Sequence, residues 1–153
     1  MFRAFGDDHE VRAPIKSGVV DDGAHATVDV VIDASQMRVL DPRLSESDRR
    51  EVQDRMLGPQ VLDVSKYAQI RFQSTSVERA TDGWKVAGQL TLHGSTKPIV
   101  VAVTNDRGHY RGTATVKQTT FGITPVAVAG GTVKVKDEVS IDFDITTQPK
   151  SEP

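Results

Sequence analysis

Short stretches in which apolar and polar residues alternate recur along most of this sequence, and they constrain its fold more than any other feature. The clearest is Glu138–Thr146, which places one apolar set on a single face: Val139, Ile141, Phe143 and Ile145. Similar stretches occupy residues 24–33, 69–77, 83–93, 98–104 and 109–118. A period of two is typical of β-strands. About seven or eight antiparallel strands must form a sandwich or close into a barrel, because a flat sheet exposes its edges and one apolar face.

The first of these strands is predicted within residues 10–20, paired as a hairpin with 24–33 across a turn at 21–23. In it, Val11, Ala13, Ile15 and Val19 share one parity, so we expect them on one face. Gly88 and Gly112 lie inside later strands, which fits the bends of a strongly curved sheet.

Residues 45–57 predict the one helix. Ser45 and Asp48 match the N-terminal capping pattern, and Gly58 followed by proline ends the segment. Glu46 and Arg50 form an i,i+4 acid–base pair. Because its only apolar residues are Val52, Met56 and Leu57, we expect a short surface helix rather than a core helix.

The stretch GQLTLHGSTKP, residues 88–98, resembles the hallmark segment of the YceI-like proteins, the lipocalin-like polyisoprenoid-binding domains. The match rests on Gly88, Leu90, Thr91, His93, Gly94, Thr96, Lys97 and Pro98. LDVSKYAQIRFQST (62–75) is similar to a second family segment through Asp63, Val64, Tyr67, Ile70, Phe72 and Ser74. TTFGI (119–123) and KVKDEVSIDFDI (134–145) resemble two more through Phe121, Gly122, Ile123 and Asp137 to Val139. Ala68, Ser95 and Thr120 depart from the family pattern.

The resemblance implies one all-β domain over residues 1–153, with its core at about 10–146 and a polar tail at 147–153. It implies an elongated antiparallel lipocalin-like β-barrel. The implied function is non-enzymatic binding or transport of a long amphiphile in the apolar lumen: a polyisoprenoid, an isoprenoid quinone or a fatty-acid-like chain. The alternative is a protein-interaction or stress-response module that acts through an exposed strand edge or the surface helix, without lipid.

Family members carry a further strand before the segment that begins this sequence, so the resemblance implies either a barrel without its usual first strand or a sequence that is truncated or started at the wrong codon. A barrel with an open seam has unpaired strand edges, which favours a homodimer through that edge. The sequence shows no signal peptide, which as written indicates the cytoplasm, whereas the family is commonly periplasmic. The compartment therefore stays open.

Composition argues against several other classes of protein. The formal net charge is −2 without a basic run, so no nucleic-acid partner is expected. The sequence has no cysteine, which removes disulfides, thiolate metal sites and cysteine nucleophiles. No stretch approaches the roughly 20 apolar residues of a transmembrane helix. Without a nucleophile motif or a phosphate-binding loop, we expect no catalytic residues and no cofactor.

Two polar clusters invite a sharper interpretation. His93, Thr96 and Lys97 suggest a catalytic or head-group site, but Gly94 and Pro98 beside them are typical of a tight turn, which we favour. Residues 7–10, DDHE, offer four consecutive metal-ligand types, yet consecutive residues rarely converge on one ion. We expect a solvated acidic turn and no metal site there, and a hairpin turn at the glycine pair 130–131.

The inward apolar residues form the candidate ligand-binding site: Ile70, Phe72, Leu90, Leu92, Val101, Phe121, Ile123 and Phe143. A filled core requires the same residues. The sequence has five Phe, two Tyr and one Trp, and this small number of bulky side chains slightly favours a cavity. The sequence does not decide whether these residues line a ligand cavity or fill a packed core.

Overall fold

Strands make up most of the structure, a computed structural model that describes residues 2–4, 11–21, 25–125, 127–128, 133–134 and 137–146. The elements in chain order are β1 (Phe2–Ala4), β2 (Val11–Arg12), β3 (Ile15–Asp21), β4 (Thr27–Asp33), β5 (Arg38–Val39), α1 (Glu46–Leu57), β6 (Gln69–Ala80), β7 (Gly83–Leu92), β8 (Ser95–Asp106), β9 (His109–Lys117), β10 (Ala127–Val128), β11 (Val133–Lys134) and β12 (Glu138–Thr146). Two 3-10 turns, Ala34–Gln36 and Gln118–Phe121, follow β4 and β9. The predicted all-β fold with one short helix is confirmed.

One antiparallel sheet contains ten of these strands, in the order β3-β4-β6-β7-β8-β9-β12-β1-β2-β5. The strands β3, β4, β6, β7, β8, β9 and β12 each have seven or more residues and form the wall of the molecule. Side chains from both ends of this series, including Val20 of β3 and Ile145 of β12, line the same interior space. The sheet is therefore curled into a half-barrel.

Among the described residues, the strands β3 and β12 at the two sides of the half-barrel have incomplete strand pairing. Within the described residues, β3 pairs only with β4. The strand β12 pairs with β9 over its full length, but with β1 only at Val139–Ile141. The edge of β12 beyond Ile141 therefore has no strand partner among the residues that the structure describes.

The predicted face of the first strand is partly wrong. The pairing of β3 with β4 shifts register between Ile15 and Ser17, as at a β-bulge. Ile15 lies opposite Ile32 and Val20 opposite Val28, and all four line the interior. Because the extra residue reverses the alternation, Val19 lies on the outer face and is 58% exposed.

The helix α1 lies on the surface, as predicted. The Ser45 hydroxyl accepts a hydrogen bond from the Asp48 N–H at 3.0 Å, and Gly58 is the C-terminal cap. Among its residues Val52 is buried. Gln53 attaches the helix to β5: its side-chain oxygen accepts from the Val39 N–H, and its amide donates to the Met37 carbonyl, both at 2.7 Å.

A packed apolar cluster fills the end of the half-barrel that carries the β7–β8 turn. Its buried members are Ala34, Met37, Val61, Leu62, Ile70, Leu90, Val116, Phe121 and Ile123. They come from the strand ends, both 3-10 turns and the loop after α1. Within the described residues, this cluster packs one end of the half-barrel.

Candidate functional site

An apolar cavity of about 190 Å³ lies on the concave side of the sheet. All seven long strands contribute to its wall, which comprises Ala13, Ile15, Val20, Val28, Val30, Ile32, Phe72, Val86, Ile99, Val101, Val103, Tyr110, Ala114, Ile141, Asp142, Phe143, Asp144 and Ile145. Only two of these residues are charged, both of them aspartates on β12. The two aspartates alternate with the inward residues Ile141, Phe143 and Ile145, so their carboxylates point to the other face of the sheet. Such a space is suited to an apolar group.

The eight predicted lumen residues divide between the cavity and the packed end. Phe72, Val101 and Phe143 line the cavity. Ile70, Leu90, Phe121 and Ile123 are buried in the packed cluster, and Leu92 packs against it. Val101 also belongs to a second buried cluster, with Val86 and Ala114, against which Phe72 and Phe143 pack, so the cavity lies beside a packed core and shares residues with it.

Sequence reasoning missed most of the cavity wall. The signal was present in the strand alternation, since Val28, Val30 and Ile32 share one face of β4, and Ile99 and Val103 share the face of Val101 on β8. Ala13 and Ile15 also share one parity in the first predicted strand, whereas the small residue Ala114 gave no such signal. Alternation shows on which face of a strand a residue lies. It does not show how far along the barrel the packed cluster extends.

The turn that contains His93 is structural in its contacts. His93 and Gly94 both have positive φ, 53° and 72°, which is the backbone of a two-residue type I′ hairpin turn. The His93 Nδ1 lies 3.3 Å from the Phe121 carbonyl oxygen, and its ring meets the Tyr67 ring edge-on at 5.1 Å. Thr96 bonds the Thr91 hydroxyl at 2.8 Å rather than the turn backbone. The turn therefore ties three segments of the packed end together.

A polar cluster lies at the opposite end, where β9 begins and β12 ends. Asp144 lies 3.3 Å from both the His109 Nδ1 and the Arg111 Nε. The Thr146 hydroxyl is 3.2 Å from the same His109 nitrogen. Asp144 pairs with Arg111 and alternates along β12 with Phe143 and Ile145, which line the cavity, so these polar side chains lie on the outer face of the sheet. The rings of Trp84 and Tyr110 lie nearby, 6.0 Å apart.

Three carboxylates elsewhere on the sheet have lowered pKa values, and each has a local cause. The side-chain hydrogen bond from Arg71 lowers the pKa of Asp29, and that from Ser35 lowers the pKa of Asp33. The Thr119 N–H and hydroxyl donate to Asp137 at 2.8 and 2.7 Å, which lowers the pKa of that carboxyl. None of the three lines the cavity, so they stabilise turns and strand pairs rather than build the site.

The described part of the chain contains no group of three or more His, Asp or Glu side chains placed to hold a metal ion. The acidic run at residues 7–10 and the glycine pair at 130–131 lie outside the described residues. Among the helices that the structure describes, none has the length and apolar character needed to cross a membrane.

A family model described as the YceI-like domain matches residues 4–147 of this chain. Curated relatives are similar over shorter segments. The UPF0312 protein of Yersinia pestis (strain Pestoides F) is 35% identical over 63 residues, 41% of this chain and 33% of that protein. The UPF0312 protein of Pseudomonas savastanoi pv. phaseolicola is 41% identical over 76 residues, 40% of this chain and 38% of that protein. The matched segment thus spans little more than a third of the length of these relatives.

Solved structures with the same fold include the YCEI protein of Campylobacter jejuni and BcnA of Burkholderia cenocepacia. The first superposes with a TM-score of 0.66 at 17% identity, covering 93% of this chain and 86% of that chain. The second superposes with a TM-score of 0.58 at 22% identity, covering 88% and 82%. At these identities the likeness concerns the fold, and it agrees with the curled antiparallel sheet described above.

Proposed function

The chain belongs to the YceI-like domain family, and from this membership we propose that it binds the apolar chain of a long amphiphile: a polyisoprenoid, an isoprenoid quinone or a fatty-acid-like chain. The protein acts as a non-enzymatic carrier. The observation that supports this proposal most is the cavity, whose wall is drawn from all seven long strands and is apolar except for two aspartates.

Burial of an apolar chain in this cavity supplies the binding energy. Each Å² of apolar surface removed from water contributes about 25 cal/mol. An apolar cavity of about 150 Å³ holds benzene, so a cavity of about 190 Å³ holds only part of a long chain. In this proposal the end of the chain occupies the cavity, and the remaining carbons lie along the open side between β3 and β12.

The head of such a ligand stays in water, because only the apolar chain enters the cavity. The polar side chains of His109, Arg111 and Asp144 lie on the outer face of the sheet, so in this proposal they do not contact the chain of the ligand.

Native mass spectrometry of gently purified protein, followed by solvent extraction, tests the carrier function. We expect one amphiphile for each chain, or uptake of one after incubation with quinones, polyprenyl lipids and fatty acids. A protein that stays empty in every incubation contradicts the proposal. Trp84, the single tryptophan, shares wall residues with the cavity, so a brominated fatty acid that enters the cavity will quench its fluorescence.

Two adjacent valines provide a matched pair of variants. Val101 is 5% exposed and lines the cavity, whereas Val100 is 51% exposed on the outer face of the same strand. Val101→Thr places a hydroxyl in the apolar wall at nearly constant volume and weakens binding about tenfold. Val100→Thr makes the same chemical change outside the barrel and leaves affinity unaltered. Equal effects of the two substitutions would place the ligand elsewhere.

A second function is favoured by the free edge of β3. Its Val19 is 58% exposed on the outer face, and within the described residues this strand pairs on one side only. In this second proposal the edge pairs with a second copy of the chain, and the protein is an interaction module without lipid. Concentration-dependent dimerisation of a protein that takes up no amphiphile distinguishes it from a carrier.

A further inference from the structure

Two phenylalanine rings lie flat against the inner wall of the half-barrel because glycines stand beneath them. Phe72 on β6 extends over Gly88 of the neighbouring β7. A Cβ added at Gly88 would lie 2.5 Å from Cζ and 2.7 Å from Cε1 of that ring. Any residue other than glycine at this position therefore displaces the ring.

Phe143 and Gly112 repeat this arrangement on the opposite side of the half-barrel. Phe143 on β12 lies opposite Gly112 of β9, and its ring covers that glycine. A Cβ at Gly112 would overlap the end of the ring and would lie 2.7 Å from Cε1. The two rings thus extend toward each other over the central strands, and both face the cavity.

Glycine inside a strand has a cost, since it loses more backbone entropy on folding than any other residue and contributes no side chain to packing. At Gly88 and Gly112, a phenylalanine ring occupies the space that a side chain would fill. A displaced ring has only one free direction, away from the sheet, which is into the cavity. The volume of the cavity therefore depends on these two contacts.

We propose that the Phe72–Gly88 and Phe143–Gly112 pairs set the bore of the lumen and make it selective for a slender apolar chain over a bulky group. This inference rests on the proposed carrier function and names the ligand shape that the site admits. The rings form two sides of the space, so their position decides its width.

The test compares a slender and a bulky probe: dodecanoic acid and adamantane carboxylic acid, each titrated against Trp84 fluorescence and by calorimetry. Wild-type protein is expected to bind dodecanoic acid more tightly. Gly112→Ala is expected to narrow the bore and to lower the affinity for dodecanoic acid about tenfold or more. The double variant Gly112→Ala with Phe143→Leu removes the displaced ring and restores binding.

A third glycine serves as the matched control. Gly18 lies opposite Val30 on the cavity side, and a Cβ there would be 3.3 Å from the Asp29 carbonyl oxygen and 3.5 Å from Val30 Cγ2, with no ring nearby. Gly18→Ala is therefore expected to change the affinity for either probe little. If folded Gly112→Ala binds dodecanoic acid as tightly as Gly18→Ala, the proposal is wrong.

A second variant covers the case in which Gly112→Ala fails to fold, since its new methyl also approaches the Ala102 carbonyl oxygen at 2.6 Å. Phe143→Leu widens the bore without that contact. It is expected to bind adamantane carboxylic acid about tenfold more tightly than wild type does. Unchanged selectivity in this variant overturns the proposal.

Benzene separates this inference from the carrier function, because it needs only an apolar cavity and no natural ligand. If neither acid binds wild-type protein, the carrier function fails. Benzene binding measured by NMR then tests the role of the rings without a natural ligand. The Phe143→Leu variant is expected to bind benzene more tightly than wild-type protein does. Equal uptake in both proteins contradicts the role of the rings.

Discussion

Gly94 is the residue of the packed end at which a side chain is least tolerated. Its φ is +72°, and a Cβ there would lie 2.5 Å from Cε1 of Tyr67. Gly108 has a similar φ of +87°, but a Cβ there would meet nothing within 4 Å. The two glycines thus share the conformational cost of positive φ and differ in the contact.

We predict that Gly108→Ala lowers the free energy of unfolding by about 1 kcal/mol, the cost of the left-handed backbone alone. Gly94→Ala is expected to cost about 2 kcal/mol more, since the Tyr67 ring must shift in a packed end. Urea unfolding of the two variants gives the comparison. Equal losses would show that the Tyr67 ring does not restrict this turn.

Asp137 gives the molecule an acid-sensitive contact. Hydrogen bonds from Thr119 hold its pKa below the usual value of 3.8. A lowered pKa in the folded protein means that the ionised carboxylate stabilises the fold above pH 3.8, and that this contribution is lost as the pH falls through the lowered value. The contact ties the 3-10 turn after β9 to the start of β12.

We therefore predict that the free energy of unfolding of Asp137→Asn decreases less than that of wild type as the pH falls below 3.8. Asparagine cannot ionise, so the proton-linked part of this contact is absent at every pH. Urea midpoints measured from pH 7 down to about pH 3 provide the test. Glu138→Gln removes a neighbouring exposed charge as a control, and an identical pH profile for both variants contradicts the assignment.

At the level of elements, the helix shows what a sequence can and cannot indicate. Its start at Ser45 and its end at Gly58 follow from local hydrogen-bonding rules, and both are found where predicted. Its attachment through Gln53 to β5 joins residues 14 and 16 positions apart, so no local pattern contains it. The bulge that turns Val19 outward likewise cannot be predicted from a local pattern, because it depends on the pairing of β3 with β4.

The attachment of α1 predicts a cost for Gln53→Ala of about 1–3 kcal/mol, since the N–H of the buried Val39 loses its partner and the Met37 carbonyl keeps only the hydrogen bond from Arg38. Glu46→Gln breaks an exposed ion pair on the same helix and is expected to cost at most about 0.5 kcal/mol. Thermal or urea unfolding measures both. A Gln53→Ala loss as small as that of Glu46→Gln would mean that the helix is held by apolar contacts alone.

For the whole molecule, the sequence predicts the curled sheet but not the division of its interior. Val101 and Ile70 have the same alternation and are both buried, yet Val101 borders the cavity and belongs to a different apolar cluster from Ile70. The difference arises because segments distant in sequence, such as Phe121 and Leu62, fill one end. The roles of Gly88 and Gly112 beneath phenylalanine rings likewise depend on neighbouring strands, whereas their sequence positions indicate only a bend.

The free edge of β3 leads to a prediction about the oligomeric state. An edge strand that exposes apolar residues tends to pair with another strand, and a lysine on the edge opposes this pairing. We expect wild-type protein to dimerise with increasing concentration and Val19→Lys to stay monomeric. Val100→Lys provides the control, because Val100 is similarly exposed, 51% against 58%, but lies on β8 between two paired neighbours. Light scattering coupled to size exclusion measures all three proteins. If Val100→Lys disrupts a dimer that Val19→Lys preserves, the outer face of the sheet and not its edge forms the interface.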